Sequence, residues 1–166
     1  MSFKSVDELF NFDFQDVVIK GVEIIPEGIT FTVDALIVEP ENTQNENFIK
    51  SYADTAKIRF SGGRIYSGVR DGYKRYDAND KLLSEVPDTS LSENEVKTVL
   101  EKSNGAYLYA VDRNDESKED DFYYTISIEF PHEEEFDTNA TESYQIVIRF
   151  SKAIVTWEKY LNRVQN

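Results

Sequence analysis

Apolar residues recur at every second position over several long stretches of this chain. Phe122, Tyr124, Ile126, Ile128 and Phe130 alternate with Tyr123, Thr125, Ser127 and Glu129. Tyr144, Ile146, Ile148 and Phe150 alternate with Gln145, Val147 and Arg149. Ile29, Phe31, Val33, Ala35 and Ile37 alternate with Thr30, Thr32 and Asp34, and Ala56, Ile58 and Phe60 with Lys57 and Arg59. A period of two puts one set of side chains on each face of an extended strand. One apolar face and one wet face is the pattern of antiparallel sheet covering a core on one side.

Further strands fall between turn signals. Val17 to Ile25 precedes the Pro26-Glu27-Gly28 turn, and Ile29 to Val38 follows it. Gly62-Gly63 turns the chain after the 56–60 strand, and Arg64 to Val69 returns. Tyr73 to Tyr76 and Leu82 to Val86 pair across Asp77-Ala78-Asn79-Asp80, and Ala106 to Val111 and Ala153 to Trp157 complete the set. Asn114 to Asp121 and Pro131 to Glu142 read as mobile hairpin loops, and Glu158 to Asn166 as a short helix or a frayed tail.

Two segments carry helix signals. Ser92 with Glu95 three residues later, and Leu91 placed to staple Val96, starts a main helix near 92–104, which Gly105 would close. Ser5 and Glu8 have the same spacing ahead of Leu9 and Phe10, so a short N-terminal helix is expected over 6–11. The expected fold is therefore α+β. It is a single domain, 1–166, mostly antiparallel β-sheet, curved or sandwiched, packed by one main helix.

The chemistry available is narrow. The chain has no Cys and one His, which excludes disulfides, thiolate metal sites and thiol nucleophiles. That His132 sits in the acidic run Pro131-His132-Glu133-Glu134-Glu135. Gly63 to Gly68 has P-loop spacing, but Val69-Arg70 stands where Lys-Ser/Thr is required. Asp77 and Asp112 each begin a stretch like a calcium loop, but Leu82 and Ser117 replace the needed glycine. No catalytic residues, cofactor or metal site are expected. Neither a membrane span nor a leader pattern is present, so the expectation is a cytoplasmic protein.

Charge is the remaining functional signal. The net charge is −14, and residues 112–142 alone carry 12 acidic and 2 basic side chains. Such a surface repels phosphate backbones, making nucleic acid an unlikely ligand, and it steers basic proteins inward. The residues expected to engage a basic protein partner are Asp112, Asp115, Glu116, Glu119, Asp120, Asp121, Glu133, Glu134 and Glu135. An alternative is a small-ligand or carbohydrate module using the faces of Tyr107, Tyr109 and Tyr123. A basic cluster over 57–75 (Lys57, Arg59, Arg64, Arg70, Lys74, Arg75), interleaved with tyrosines, could form a groove for an acidic ligand.

Phe12-Asp13-Phe14-Gln15-Asp16-Val17-Val18-Ile19 resembles a signature, roughly Phe-His-Asp-Ala-x-Ile, of small acidic bacterial domains. In that group a hairpin and an Asn-containing loop follow. Asn42, Asn45 and Asn47 fall in the matching loop here, and Gly72 to Asp77 and Ile154 to Glu158 are also similar. Gln15 stands for the His and Val17 for the Ala, so only Asp16 carries over. Most members have no assigned function, and some resemble immunity proteins of bacterial toxin systems. The acidic surface and the absence of a catalytic constellation point to a non-enzymatic binding protein, and the resemblance implies that an immunity-type protein is one form it could take.

Overall fold

The computed structural model describes residues 2–131 and 142–163. In chain order the elements are β1 (Phe3–Val6), a 3-10 turn (Leu9–Asn11), β2 (Phe12–Asp13), β3 (Val18–Ile25) and β4 (Gly28–Asp34). Then come β5 (Ile37–Val38), β6 (Ser51–Ala53), β7 (Ala56–Ser61), β8 (Arg64–Arg70), β9 (Tyr73–Tyr76), β10 (Leu82–Val86) and β11 (Thr89–Ser90). After α1 (Glu93–Glu101) follow β12 (Tyr107–Arg113), β13 (Phe122–Phe130), β14 (Glu142–Phe150), β15 (Lys152–Trp157) and β16 (Tyr160–Arg163).

Ten strands hydrogen-bond in the order β1-β15-β7-β4-β3-β12-β13-β14-β8-β11, all antiparallel. Two connections set the shape. Gly62-Gly63 alone joins β7 to β8, and Ser151 alone joins β14 to β15, yet each pair stands far apart in the sheet. The sheet must therefore fold over so that its halves face each other. It is not closed into a barrel, since β1 and β11 remain its two edges.

The faces with the apolar period meet between those halves. Ile29, Phe31, Val33, Ile58 and Phe60 from one half, and Ile126, Ile128, Ile146 and Ile148 from the other, are fully buried in one cluster. Each such side chain removed from water contributes roughly 1.5–3 kcal/mol. Helix α1 packs on β8 and β3, burying Val96 and Leu100, with Val96 over Gly68. Gly68 makes the approach possible, because a Cβ there would lie 2.3 Å from Val96 Cγ2. The helix begins as its sequence predicts, with Glu95 N donating to Ser92 Oγ and Ser92 N to Glu95 Oε1.

Four expectations need correction. Residues 6–11 are not a helix: Phe3–Val6 is a strand on β15, followed by a 3-10 turn. Asp7, with φ 54°, ties itself to Ala153 through both its backbone N–H and its carboxylate, which holds the chain to the sheet. Ser5 Oγ donates to the Glu8 side chain, so the expected cap bonds one side chain to another. The strand begun at Gly28 stops at Asp34 because Ala35 takes φ 63°, and Ile37–Val38 joins a different sheet. Helix α1 ends at Glu101 rather than Asn104, where buried Ser103 donates to Leu100 O. The tail expected as helix or coil pairs as β16 with β6.

A second sheet, in the order β16-β6-β5-β2, supports the loop that follows β5. Asn45 is the hub of that loop. Its buried amide donates to the carbonyls of Val38, Glu39 and Ile49 and accepts from Asn47 N and Phe48 N. Buried Asn42 donates to Ser5 Oγ. Burial pushes the Glu8 carboxyl up, but hydrogen bonds from Ser5, Thr43 and Asn11 outweigh it and hold Glu8 below its ordinary range.

Trp157, the only tryptophan, is 2% exposed and packs against Phe3, Phe12 and Tyr160. Burial pushes the Tyr160 phenol up to about 12, against a partial offset from Trp157, while its hydroxyl donates to Gln44 O. The fold therefore favours the neutral phenol. That contribution is whole below pH 10, where the unfolded chain begins to ionise, and is lost as pH rises towards 12. Chemical denaturation across this range, followed by Trp157 fluorescence, should show stability falling. The fall should be shallower in Tyr160→Phe, and identical slopes would refute the assignment.

β9 and β10 form a separate two-stranded arm whose β10 residues are all exposed. Gly72 sits at its base, where a Cβ would lie 2.0 Å from Val86 O, and Gly72 N donates to the Asp88 carboxylate.

Candidate partner-binding surface

The β12–β13 hairpin carries the acidic run, and local hydrogen bonds close its turn. Lys118 and Asp121 exchange both backbone hydrogen bonds. Ser117 Oγ donates to Tyr123 O and accepts from Tyr123 N, and Thr125 donates to the Asn114 side chain. Asp121 is held by Arg149 through two hydrogen bonds of 2.8 and 3.0 Å, which lower its carboxyl below the ordinary range. Asp112, Asp115, Glu116, Glu119 and Asp120 are exposed and have no ion-pair partner among the described residues. The hairpin thus presents five free carboxylates from a fixed backbone. Glu133, Glu134 and Glu135, like His132, lie outside the described residues.

A cleft of about 590 Å³ opens beside the start of this hairpin. One wall is the 3-10 turn and β2, and the other is β12. The turn buries Leu9 and leaves the Phe10 ring 74% exposed, because successive residues of so tight a helix point to different sides. Phe12 and Tyr124 form part of the apolar lining. Asp13, Glu39 and Asp112 supply carboxylates, with Arg113 the one cation lining the cleft. Lys50 bridges Asp13 and Glu39 at 3.3 and 3.4 Å, and both carboxylates raise its pKa. Asp112 faces no such cation and belongs to both the cleft and the hairpin.

The three tyrosines expected to act together do not meet. Tyr107 lies opposite Glu129 and Tyr123 opposite Arg149, about 20 Å apart at the rise of an extended strand. Tyr123 packs edge-on against Tyr66 beneath the Arg149 guanidinium. Tyr109 OH accepts from Gln145, which also donates to Asp71, and lies 3.2 Å from Ser143 Oγ. Tyr109 also lines the acidic cleft.

The 57–75 basic cluster is likewise divided. Lys57 and Arg59 lie on β7, Arg64 and Arg70 on the opposite half of the sheet, and Lys74 and Arg75 on the arm. Asp77 accepts from the Asn79 and Lys81 backbone, the geometry of a turn. Among the described residues no three His, Cys, Asp or Glu side chains are placed to hold a metal ion, and no helix is long and apolar enough to cross a membrane.

Sequence reasoning missed Phe10, Asp13 and Glu39 as walls of the cleft. The one available signal for Phe10 was an aromatic residue next to Leu9, with which it cannot share a buried face in a 3-10 turn. No family model matches the chain, and comparisons with curated proteins and with solved structures find no significant similarity.

Proposed function

We propose that this chain is a non-enzymatic binding protein that captures a basic protein through the β12–β13 hairpin and the cleft beside it. The observation that carries the reading is the pairing of five unpartnered carboxylates on a hydrogen-bonded hairpin with an exposed aromatic ring in the adjoining cleft. Interfaces draw most of their affinity from desolvated aromatic anchors, while surrounding charges set approach rate and partner choice. Phe10 is suited to the first role and Asp112, Asp115, Glu116, Glu119 and Asp120 to the second. An immunity-type protein that blocks a basic toxin in the bacterial cytoplasm is the biological form this reading takes.

Differential capture tests it. The parent protein and a variant with Asp112→Asn, Asp115→Asn, Glu116→Gln, Glu119→Gln and Asp120→Asn are immobilised and exposed to the same lysate at low salt. A basic protein retained by the parent, eluted by salt and lost from both the variant and Phe10→Ala is the expected result. These side chains are exposed, so thermal midpoints should stay within a few degrees of the parent. Identical retention by parent and variants would overturn the reading.

A further inference from the structure

The outer face of β1, β15 and β7 sorts charge against the trend of the whole molecule. Lys4 lies opposite Thr156, Thr156 opposite Lys57, and Lys57 opposite Thr32 on β4. In the next outward row Ile154 lies opposite Arg59, and Arg59 opposite Thr30. Lys57 and Arg59 are exposed between buried Ala56, Ile58 and Phe60, and Lys152 is exposed further along β15. In a chain of net charge −14, β1, β15 and β7 present cations, hydroxyls and a few apolar groups here, with the carboxylates Glu23 of β3 and Asp34 of β4 at the flank. Lys4, Lys57, Arg59 and Lys152 form no ion pair with any described residue.

The face is also concave. A depression of about 680 Å³ lies over it, lined by Lys4, Lys57, Arg59 and the hydroxyls of Thr30, Thr32 and Thr156. Glu23 is the one carboxylate among the lining residues. Strand spacing puts Lys4 and Lys57 about 10 Å apart at the backbone, and Lys57 and Arg59 about 7 Å apart. Their long side chains can therefore converge on one small anion.

We infer that this depression binds a compact non-aromatic molecule bearing several phosphate groups. Three features select that class. Three cations with free donors, ringed by hydroxyls, match the many acceptor oxygens of clustered phosphates. No aromatic side chain lines the depression, so nothing stacks on a nucleobase. The strongly acidic remainder of the surface repels any long polyanion that overruns the patch, whereas a compact one stays within it. The site is on a different face from the proposed protein interface and does not depend on it.

Inorganic tripolyphosphate is the probe, titrated calorimetrically at low salt into parent, Lys57→Gln, Arg59→Gln and Arg64→Gln. Binding to the parent, weakened about tenfold or more by Lys57→Gln and by Arg59→Gln but unchanged by Arg64→Gln, is expected. Circular dichroism verifies that the variants fold, and exposure of both side chains predicts unchanged spectra. Absence of binding to the parent would overturn the inference. Equal loss in Arg64→Gln would reduce it to diffuse charge attraction and overturn it too. A 20-nucleotide single-stranded DNA binding more tightly than tripolyphosphate would replace it with a nucleic-acid site.

Discussion

Replacing Asn45 with leucine is expected to destabilise the protein by about 3–5 kcal/mol. Both side chains branch at Cγ with four heavy atoms, but leucine is bulkier and puts methyl groups where the amide makes its hydrogen bonds. Three carbonyls, of Val38, Glu39 and Ile49, lose a donor, and the N–H groups of Asn47 and Phe48 lose an acceptor. Asn45 is 6% exposed, so water cannot substitute without opening the loop. Asn45→Asp should be nearly as costly, since the carboxylate keeps the two accepting contacts but faces three carbonyl oxygens. Urea denaturation read by Trp157 fluorescence measures both, and a loss below about 1 kcal/mol in both would show that the loop is not held by this residue.

The second large effect concerns the contact between helix and sheet. Gly68→Ala places a methyl group 2.3 Å from Val96 Cγ2, inside any tolerable approach. Val96 is fully buried and branched at Cβ, so it has no low-energy rotamer to retreat into. The helix must shift outward, and overpacking of this kind costs about 1–3 kcal/mol. Val96→Ala alone leaves a small cavity and costs a comparable amount. The double variant removes the clash and refills part of the void, so its loss should fall at least about 1 kcal/mol short of the sum. Strict additivity would mean that α1 does not rest on β8 through this pair.

Much of this fold was legible because its strands state their period openly. Residues 29–33, 56–60, 122–130 and 144–150 each alternate over a face that the structure buries. Ser92 and Glu95 likewise announce a helix start, since both halves of the cap are local. What local signals could not supply was competition from distant residues. Ser5 and Glu8 have a capping spacing, yet Asp7 bonds to Ala153, a residue 146 positions away, and the segment becomes a strand and a tight turn. Ala35 carries no sequence mark of its left-handed backbone. The cleft was hidden for the same reason, because Phe10 and Glu39 meet Asp112 only once the sheet has folded over. The acidic hairpin was legible in composition, but the hydrogen bonds that close it come from Ser117 and Asn114, which looked like ordinary loop residues.

The strand order also bears on how the chain is made. β7 and β8 emerge from the ribosome early, but β7 lies between β4 and β15, and β8 between β14 and β11. Their partners β14 and β15 lie some eighty or more residues downstream. At bacterial or eukaryotic elongation speeds that interval lasts on the order of ten seconds. Throughout it the nascent β7 and β8 keep one edge open, with Ile58 and Phe60 lacking their final cover from Val155 and Phe150. The growing polypeptide therefore carries apolar strand faces without their final neighbours until residues 142–157 arrive and complete the sheet.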